Sequence, residues 1–544
     1  MLEGCVPWPQ EFAKRYRELG LWRNITLFDM LEESAAKWPD RVALTAGGEG
    51  ITYAQLVQRS KRLAGGLHRL GLKPLDRVVF QIHNSAAFVI AFFALMRIGV
   101  IPVMALPPHR QNEIRHFLKF SGAVGYLIPD QVRGFDYRAM AGEMAAEIPT
   151  LRHILVAGAA KPGQTSLDDL TAGDNPPPAF CPDPSEVALM LLSGGTTALP
   201  KLIPRTHNDY VLNARLAGEA CQFGTDTVYM AVLPLAHNYS LACPGMLAVF
   251  AHGGRVVVSP GHDPDAIFGL VEKERVTIIP AAVPLIASWV NSDIPKKYDL
   301  SSLLLVQNGG ARLSTELRMK LRSHLGCLTQ EDYGTAEGLI NLTRLDDPED
   351  VQLTSSGQPI CDQDEIKVLD ANGLDVPDGE PGELAVRGPY TIRGYYNNPA
   401  ANAKSFTPDG FYKMGDVVRK QGRVIYAEGR KGDLINRGGE KISVDEIENL
   451  ILKHPAVKAV ALVAMSDPIY GEKACAFATL KDEARLSFQE MSHFLLAQGI
   501  AKFKLPERLE ILDEFPVSPA GKILRRTLRD MIEAKLAEEK GNQK

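Results

Sequence analysis

Small residues, hydroxyls and a lysine stand together in Ser193-Gly-Gly-Thr-Thr-Ala-Leu-Pro-Lys201, directly after the apolar run Val187-Ala-Leu-Met-Leu-Leu192. Such a loop suits an anion. Gly194 and Gly195 permit positive φ and close backbone approach, while Ser193, Thr196, Thr197 and the N–H groups between them supply donors. Lys201 adds a full positive charge. The spacing departs from GxxxxGK[ST], so a P-loop, in which a helix N-terminus cradles β- and γ-phosphates, is a poor fit. Taken alone, the stretch reads equally as an ordinary glycine turn, because glycine and threonine gather in any turn.

The elements that must carry this loop belong to a chain of 544 residues, too long for one ordinary core and divisible into several units of about 100–200 residues each. An apolar fraction of 45% and a charged fraction of 23% are those of a soluble globular protein, and a formal net charge of −5 gives no electrostatic reason to expect nucleic acid or an anionic membrane. Cys5, Cys181, Cys221, Cys243, Cys327, Cys361 and Cys475 are scattered without CxxC or Cys/His metal spacing. That pattern argues for a reducing compartment, the cytoplasm by default, and against a disulfide framework or a zinc site. The N-terminal Met1-Leu-Glu-Gly-Cys-Val-Pro-Trp-Pro9 lacks the basic start and apolar core of a secretory signal. The most apolar run, 86–96, is shorter than the ~20 residues that span a bilayer and closes on Arg97, so it reads as a buried helix.

Periodicity predicts a helix near 26–32, a first strand within 39–44, and a helix after Thr52 on which Leu56, Leu63, Leu67 and Leu70 recur at near-helical intervals up to Gly71. Strand 76–82, helix 85–98 and the apolar run 100–105 follow, and the alternation resumes at 115–130 and 151–157. This is the sequence form of a doubly wound α/β sheet with helices on both faces. Residues 161–186, rich in Pro, Gly and Asp, form a break. Strand candidates at 228–234, 255–259, 276–280 and 303–306 predict a second α/β layer. Short strands with glycine turns from 357 onward predict a small β subdomain. Gly429-Arg-Lys-Gly-Asp433 is the linker candidate, followed by helix 444–453 and strand 457–465 of a compact α+β unit. The expected division is therefore 1–431, a large N-terminal part of two doubly wound subdomains plus the β subdomain, and 432–544, a small mobile α+β part.

Further stretches make chemical sense only together with the 193–201 loop: Tyr333-Gly-Thr-Ala-Glu337, Tyr412-Lys-Met-Gly-Asp416, Gly429-Arg430, Asn436-Arg-Gly-Gly-Glu-Lys441 and Pro519-Ala-Gly-Lys522. In this order they make the chain resemble, over essentially its whole length, the adenylate-forming superfamily of acyl-CoA synthetases, non-ribosomal peptide synthetase adenylation domains and luciferases. Lys201-Leu-Ile-Pro-Arg-Thr-His207, Ala236-His-Asn-Tyr239, Glu337-Gly-Leu with Asn341, and Arg387-Gly-Pro-Tyr-Thr-Ile-Arg-Gly-Tyr-Tyr396 are similar to the stand-alone aryl-acid adenylating enzymes of siderophore pathways.

The resemblance implies attack of a carboxylate on the α-phosphorus of ATP, which brings two anions together, so that cations must offset the charge. It gives Lys522 the role of bridging carboxylate and α-phosphate, with Thr196 and Lys201 in the phosphate loop, and Glu337 the role of Mg²⁺ ligand, a hard cation that prefers oxygen. Asp416 would grip the ribose hydroxyls with help from Arg430, Gly309, Gly310 and Ala311 would frame the adenine together with Gly334, Tyr333 would stack on it, and Thr335 would lie beside the α-phosphate. Read from residue type alone, Lys522 is a solvated loop lysine, Glu337 an exposed glutamate at a helix start, Tyr333 aromatic core and Cys243 a small buried residue.

The implied acid pocket comprises His237, Asn238, Tyr239, Cys243, Gly309, Asp332 and Ile340. In the resembling subgroup the residue at Asn238 bonds the ring 2-hydroxyl, and cysteine rather than serine at Cys243 favours salicylate over 2,3-dihydroxybenzoate, because a thiol pairs poorly with a buried 3-hydroxyl. Two residues depart from the pattern. Asp332 replaces an apolar pocket residue and would repel a benzoate unless it meets a cation or turns outward, which keeps hydroxypicolinate or aminobenzoate open as substrates. Gly432 occupies the hinge, where relatives carry lysine or aspartate. The second half-reaction implied is transfer to the phosphopantetheine thiol of an aryl carrier protein, or to CoA, with Gly438 and Gly439 lining the thiol tunnel. No carrier domain is evident in the sequence, which closes on a charged helix at 524–539, so the acceptor is expected from elsewhere. A non-catalytic nucleotide-binding protein on the same scaffold is the alternative from another class.

Overall fold

A computed structural model of the chain describes residues 1–172, 176–193, 200–310, 312–430, 435–437, 440–442, 444–467, 470–498, 500, 502–518 and 521–541. The fold is mixed α/β, with a large N-terminal and a small C-terminal part. Among the described residues, one sheet of seven strands runs in the order Leu202–Thr206, Val187–Leu192, Ile101–Met104, Arg77–Phe80, Gly125–Pro129, His153–Ala157, Thr165–Ser166. All its pairings are parallel except the first, which is antiparallel. The predicted buried helix forms as Ala86–Arg97, opened by Ser85, whose hydroxyl accepts from the Phe88 N–H. It buries Phe88, Phe92, Phe93 and Leu95 and packs on the helix Tyr53–Arg69, as its all-round apolar sequence requires.

A second sheet of nine strands has a parallel centre made of Leu328–Thr335, Leu305–Gly309, Ile278–Ala281, Val228–Ala231, Arg255–Val258 and Val42–Ala46. Its edges are antiparallel, with Gly338–Leu342 and Gln358–Pro359 on one side and Glu49–Thr52 on the other. The strand predicted within 39–44 thus joins this sheet, in register with Val256 and Val257, although the elements that follow it in sequence build the other one. An antiparallel four-stranded sheet, Glu365–Leu369, Gly382–Arg387, Tyr412–Gln421 and Val424–Arg430, is the predicted β subdomain.

The C-terminal part has its own five-stranded sheet, centred on the antiparallel pair Val457–Asp467 and Gly471–Leu480. Ile447, Ile451, Leu462 and Leu495 form a core on one face, and Val463, Phe477, Leu528 and Ile532 form one on the other. Two separately covered faces fit a unit that holds together by itself. The boundary expected at 431/432 lies outside the described residues. All seven cysteines are free. Among the described residues no helix is long and apolar enough to cross a membrane.

Candidate active site

The apolar run and the stretch after Lys201 pair as an antiparallel hairpin, with Leu192 opposite Leu202, so the 193–201 loop turns back into a strand and not into a helix. This topology removes the helix N-terminus that a P-loop needs. Ser193 closes the loop's base: its N–H donates to the Lys201 carbonyl at 3.0 Å, and its hydroxyl accepts from the Lys201 N–H at 2.9 Å. Gly194, Gly195, Thr196 and Thr197 lie outside the described residues, as do Ala311, Gly432, Gly438 and Gly439.

Past the hairpin, Thr206 caps the helix His207–Ala220 in a reciprocal box with Asp209. The preceding Arg205 is fully buried and donates to Asp209 Oδ1 at 2.8 Å, to the Ala336 carbonyl at 3.0 Å and to Asn213 Oδ1 at 3.4 Å. Through Ala336 this guanidinium fixes the turn that carries Glu337. Glu337 sits in the tight turn between Leu328–Thr335 and Gly338–Leu342 and is 6% exposed, so the reading of it as an exposed glutamate at a helix start is corrected. Its Oε1 accepts a 2.8 Å hydrogen bond from the Tyr395 hydroxyl, which lies 3.2 Å from the Tyr412 hydroxyl. The Lys201 ammonium stands 3.8 Å from the centre of the Tyr395 ring. Burial pulls its pKa below the ordinary lysine value, and the Glu337 charge opposes that shift. One aromatic ring therefore holds a cation on its face and a carboxylate at its hydroxyl.

On the nucleotide side, the Tyr333 hydroxyl donates to Asp416 Oδ2 at 2.8 Å, joining the two residues expected at base and ribose. Asp416 pairs across the β subdomain with the backbone of Arg430. The Thr335 hydroxyl donates to the Gly338 carbonyl at 2.9 Å, and at Gly334 a side chain would meet the Leu339 carbonyl at 2.4 Å, so the hairpin closes only over glycine. Gly310 has φ +83°, and a methyl group there would lie 3.4 Å from Lys522 Cε and 3.8 Å from its Nζ. The Lys522 side chain of the C-terminal part thus rests against the backbone at Gly310. It also acts on His237: burial first, and the Lys522 charge next, lower the imidazole pKa to about 4, leaving the ring neutral at neutral pH.

On the side expected for the acid, His237 caps the short helix Asn238–Ala242. Asn238 Oδ1 accepts from the Tyr210 hydroxyl at 2.7 Å, and its Nδ2 donates to Cys243 Sγ at 3.2 Å, which leaves one amide N–H for a ligand. Cys243 also receives Asn213 Nδ2 at 3.5 Å, and burial pushes its thiol up to about 12. Gly309, Asp332 and buried Ile340, also expected at the acid, lie on one sheet face. A side chain at Gly309 would strike the Tyr239 ring at 2.9 Å, so glycine there makes room for the tyrosine. Asp332 is 6% exposed, and burial, with the Glu331 charge adding, raises its pKa far above the carboxylate range. Motif spacing missed Arg205, Tyr210, Asn213 and Tyr395. Arg205 and Tyr395 do fall inside stretches that carry the resemblance.

A lysine of the C-terminal part set against Gly310 of the N-terminal part is the arrangement expected of an acid–AMP ligase. The AMP-binding enzyme family matches residues 31–396, and the AMP-binding enzyme C-terminal domain matches residues 446–522. The chain belongs to the AMP-binding enzymes of the adenylate-forming superfamily. It is 45% identical over 540 residues to the 2,3-dihydroxybenzoate-AMP ligase of Bacillus subtilis (strain 168), covering 98% of this chain and 99% of that one. It is 41% identical to the salicyl-AMP ligase / salicyl-S-ArCP synthetase of Mycobacterium tuberculosis (strain ATCC 25618 / H37Rv), covering 97% of this chain and 94% of that one. Among solved structures, the apo structure of Mycobacterium smegmatis MbtA superposes with a TM-score of 0.75 at 39% identity, covering 97% and 98% of the two chains.

Proposed function

We propose that the protein activates an aryl acid, salicylate ahead of 2,3-dihydroxybenzoate, with ATP. A carboxylate oxygen attacks the α-phosphorus, pyrophosphate leaves and aryl-AMP forms. A phosphopantetheine thiol of an aryl carrier protein then attacks the carbonyl carbon, forming a thioester and expelling AMP. The observation that carries this reading is the Lys522 side chain packed against Gly310 and acting on His237. Because His237 is neutral, the acid's carboxylate draws its positive charge from Lys522, with Lys201 serving the phosphate side. Asn238 directs its remaining amide N–H to the 2-hydroxyl, and Cys243, already accepting from two amides, offers little to a 3-hydroxyl.

Glu337, a buried oxygen donor beside Lys201, fits Mg²⁺, which takes one or two carboxylates and completes its shell with phosphates and water. When bound, the ion would neutralise phosphate charge. Tyr333 and Asp416 orient base and ribose, and residues 432–544 would rotate about Gly432 between the two half-reactions. Free cysteines and acceptor chemistry suit the cytoplasm. The 43%-identical salicylyl-CoA synthase / salicylate adenylyltransferase of Streptomyces keeps CoA as the second acceptor to test. ATP–pyrophosphate exchange against salicylate, 2,3-dihydroxybenzoate, benzoate and hexanoate tests the reading. Exchange with the hydroxylated aryl acids at least 10-fold above hexanoate is expected, and exchange with hexanoate alone would refute it.

A further inference from the structure

On the sheet face expected to meet the acid stands a buried carboxyl group, Asp332, with no cation paired to it among the described residues. Asp332 is the register partner of Gly309 on one side and Leu342 on the other. Paired residues leave a sheet on the same face, so Asp332 projects where position 309 projects, toward the Tyr239 ring. Its surroundings are the Cys221 and Cys243 thiols and the Tyr229 and Tyr239 phenols, whose own ionisation its charge would oppose. The Tyr239 phenol oxygen is buried without a hydrogen-bond partner among the described residues. Among the described residues the Asp332 side chain makes no hydrogen bond and no ion pair, and the charge acting on it is another carboxylate, Glu331.

A buried carboxyl without a partner is a costly arrangement, and an apolar side chain of similar size would line a plain benzene edge better. The cost is recovered if the ligand brings the partner. An N–H on the substrate ring would satisfy a carboxylate lone pair, and a basic nitrogen would share the Asp332 proton, leaving the pair neutral whichever atom holds it. A ring C–H can do neither.

We propose that Asp332 is a specificity residue for a nitrogen on the aromatic ring, so that the acid activated is a 2-hydroxyaryl acid carrying an amine or a ring nitrogen. This rests on the aryl-acid reading above. It adds a third anchor to that pocket: Lys522 takes the carboxylate, Asn238 the hydroxyl and Asp332 the nitrogen.

The test is ATP–pyrophosphate exchange with salicylate, 3-, 4- and 5-aminosalicylate and 3-hydroxypicolinate, for the full-length protein and for Asp332→Val and Asp332→Asn. The wild type is expected to prefer at least one nitrogen-bearing acid over salicylate by 10-fold or more in kcat/KM. Asp332→Val should reverse that order, raising salicylate while the nitrogen-bearing acid falls at least 10-fold, with KM for ATP unchanged. Asp332→Asn keeps shape and polarity without the shared proton, and it should lose the preference if the valine variant does not fold. The same ranking in wild type and in the folded variants would overturn the proposal while leaving the aryl-acid reading intact. Silence of the wild type toward every acid in the panel would bring down both.

Discussion

Tyr395 shows how much one side chain can organise. Its ring carries the Lys201 ammonium and its hydroxyl holds Glu337, so this cation and this carboxylate keep a fixed separation. Tyr395→Phe retains the ring and removes the hydroxyl. A hydrogen bond to a charged group contributes about 1.5–3 kcal/mol, so exchange should fall by about 10- to 100-fold and the half-saturating Mg²⁺ concentration should rise. A titration of exchange rate against Mg²⁺ reads this, and an unchanged midpoint would show that Glu337 keeps its position without the tyrosine. Lys522, Glu337 and Asp416 are candidates from sequence because each stands in a local motif. Tyr395 and Arg205 sat within recognisable stretches, yet their partners, Glu337 and Ala336, lie 58 and 131 positions away, and no local pattern encodes such a contact.

At the scale of elements, alternating strands and helices were readable because periodicity is a local property. The partner of each strand was not, and Val42–Ala46 shows why: its apolar side chains specify a strand, while its sheet is set by packing against Arg255–Val258, more than two hundred positions on. The hairpin return after Lys201 escaped the sequence for the same reason. The meeting of the strand Leu305–Gly309 with the helix Asn238–Ala242 is decided at Gly309, where a methyl group would come within 2.9 Å of the Tyr239 ring. Overpacking of this kind costs about 1–3 kcal/mol. Gly309→Ala should therefore push the ring into the acid pocket and raise KM for the acid by about 10-fold, with KM for ATP little altered. Steady-state kinetics in both substrates checks this, and equal effects on the two KM values would locate the disturbance elsewhere.

For the whole molecule, the central relation is between two units with separate cores. The N-terminal part holds the Tyr333–Asp416 pair, the Glu337–Tyr395–Lys201 cluster and the sheet face of Gly309 and Asp332, and the C-terminal part delivers Lys522 to Gly310. The order of motifs announced both units, but composition and spacing said nothing of how they meet, since that depends on surfaces formed only after each has folded. Lys522 is exposed and outside both C-terminal cores, so Lys522→Ala should leave thermal stability unchanged. The most direct measurement is ATP–pyrophosphate exchange by this variant with the preferred aryl acid. Loss of a preorganised charge at the reacting centre predicts a fall of about 10²–10³ in rate, whereas exchange at the wild-type rate would contradict the placement of this ammonium at the chemistry.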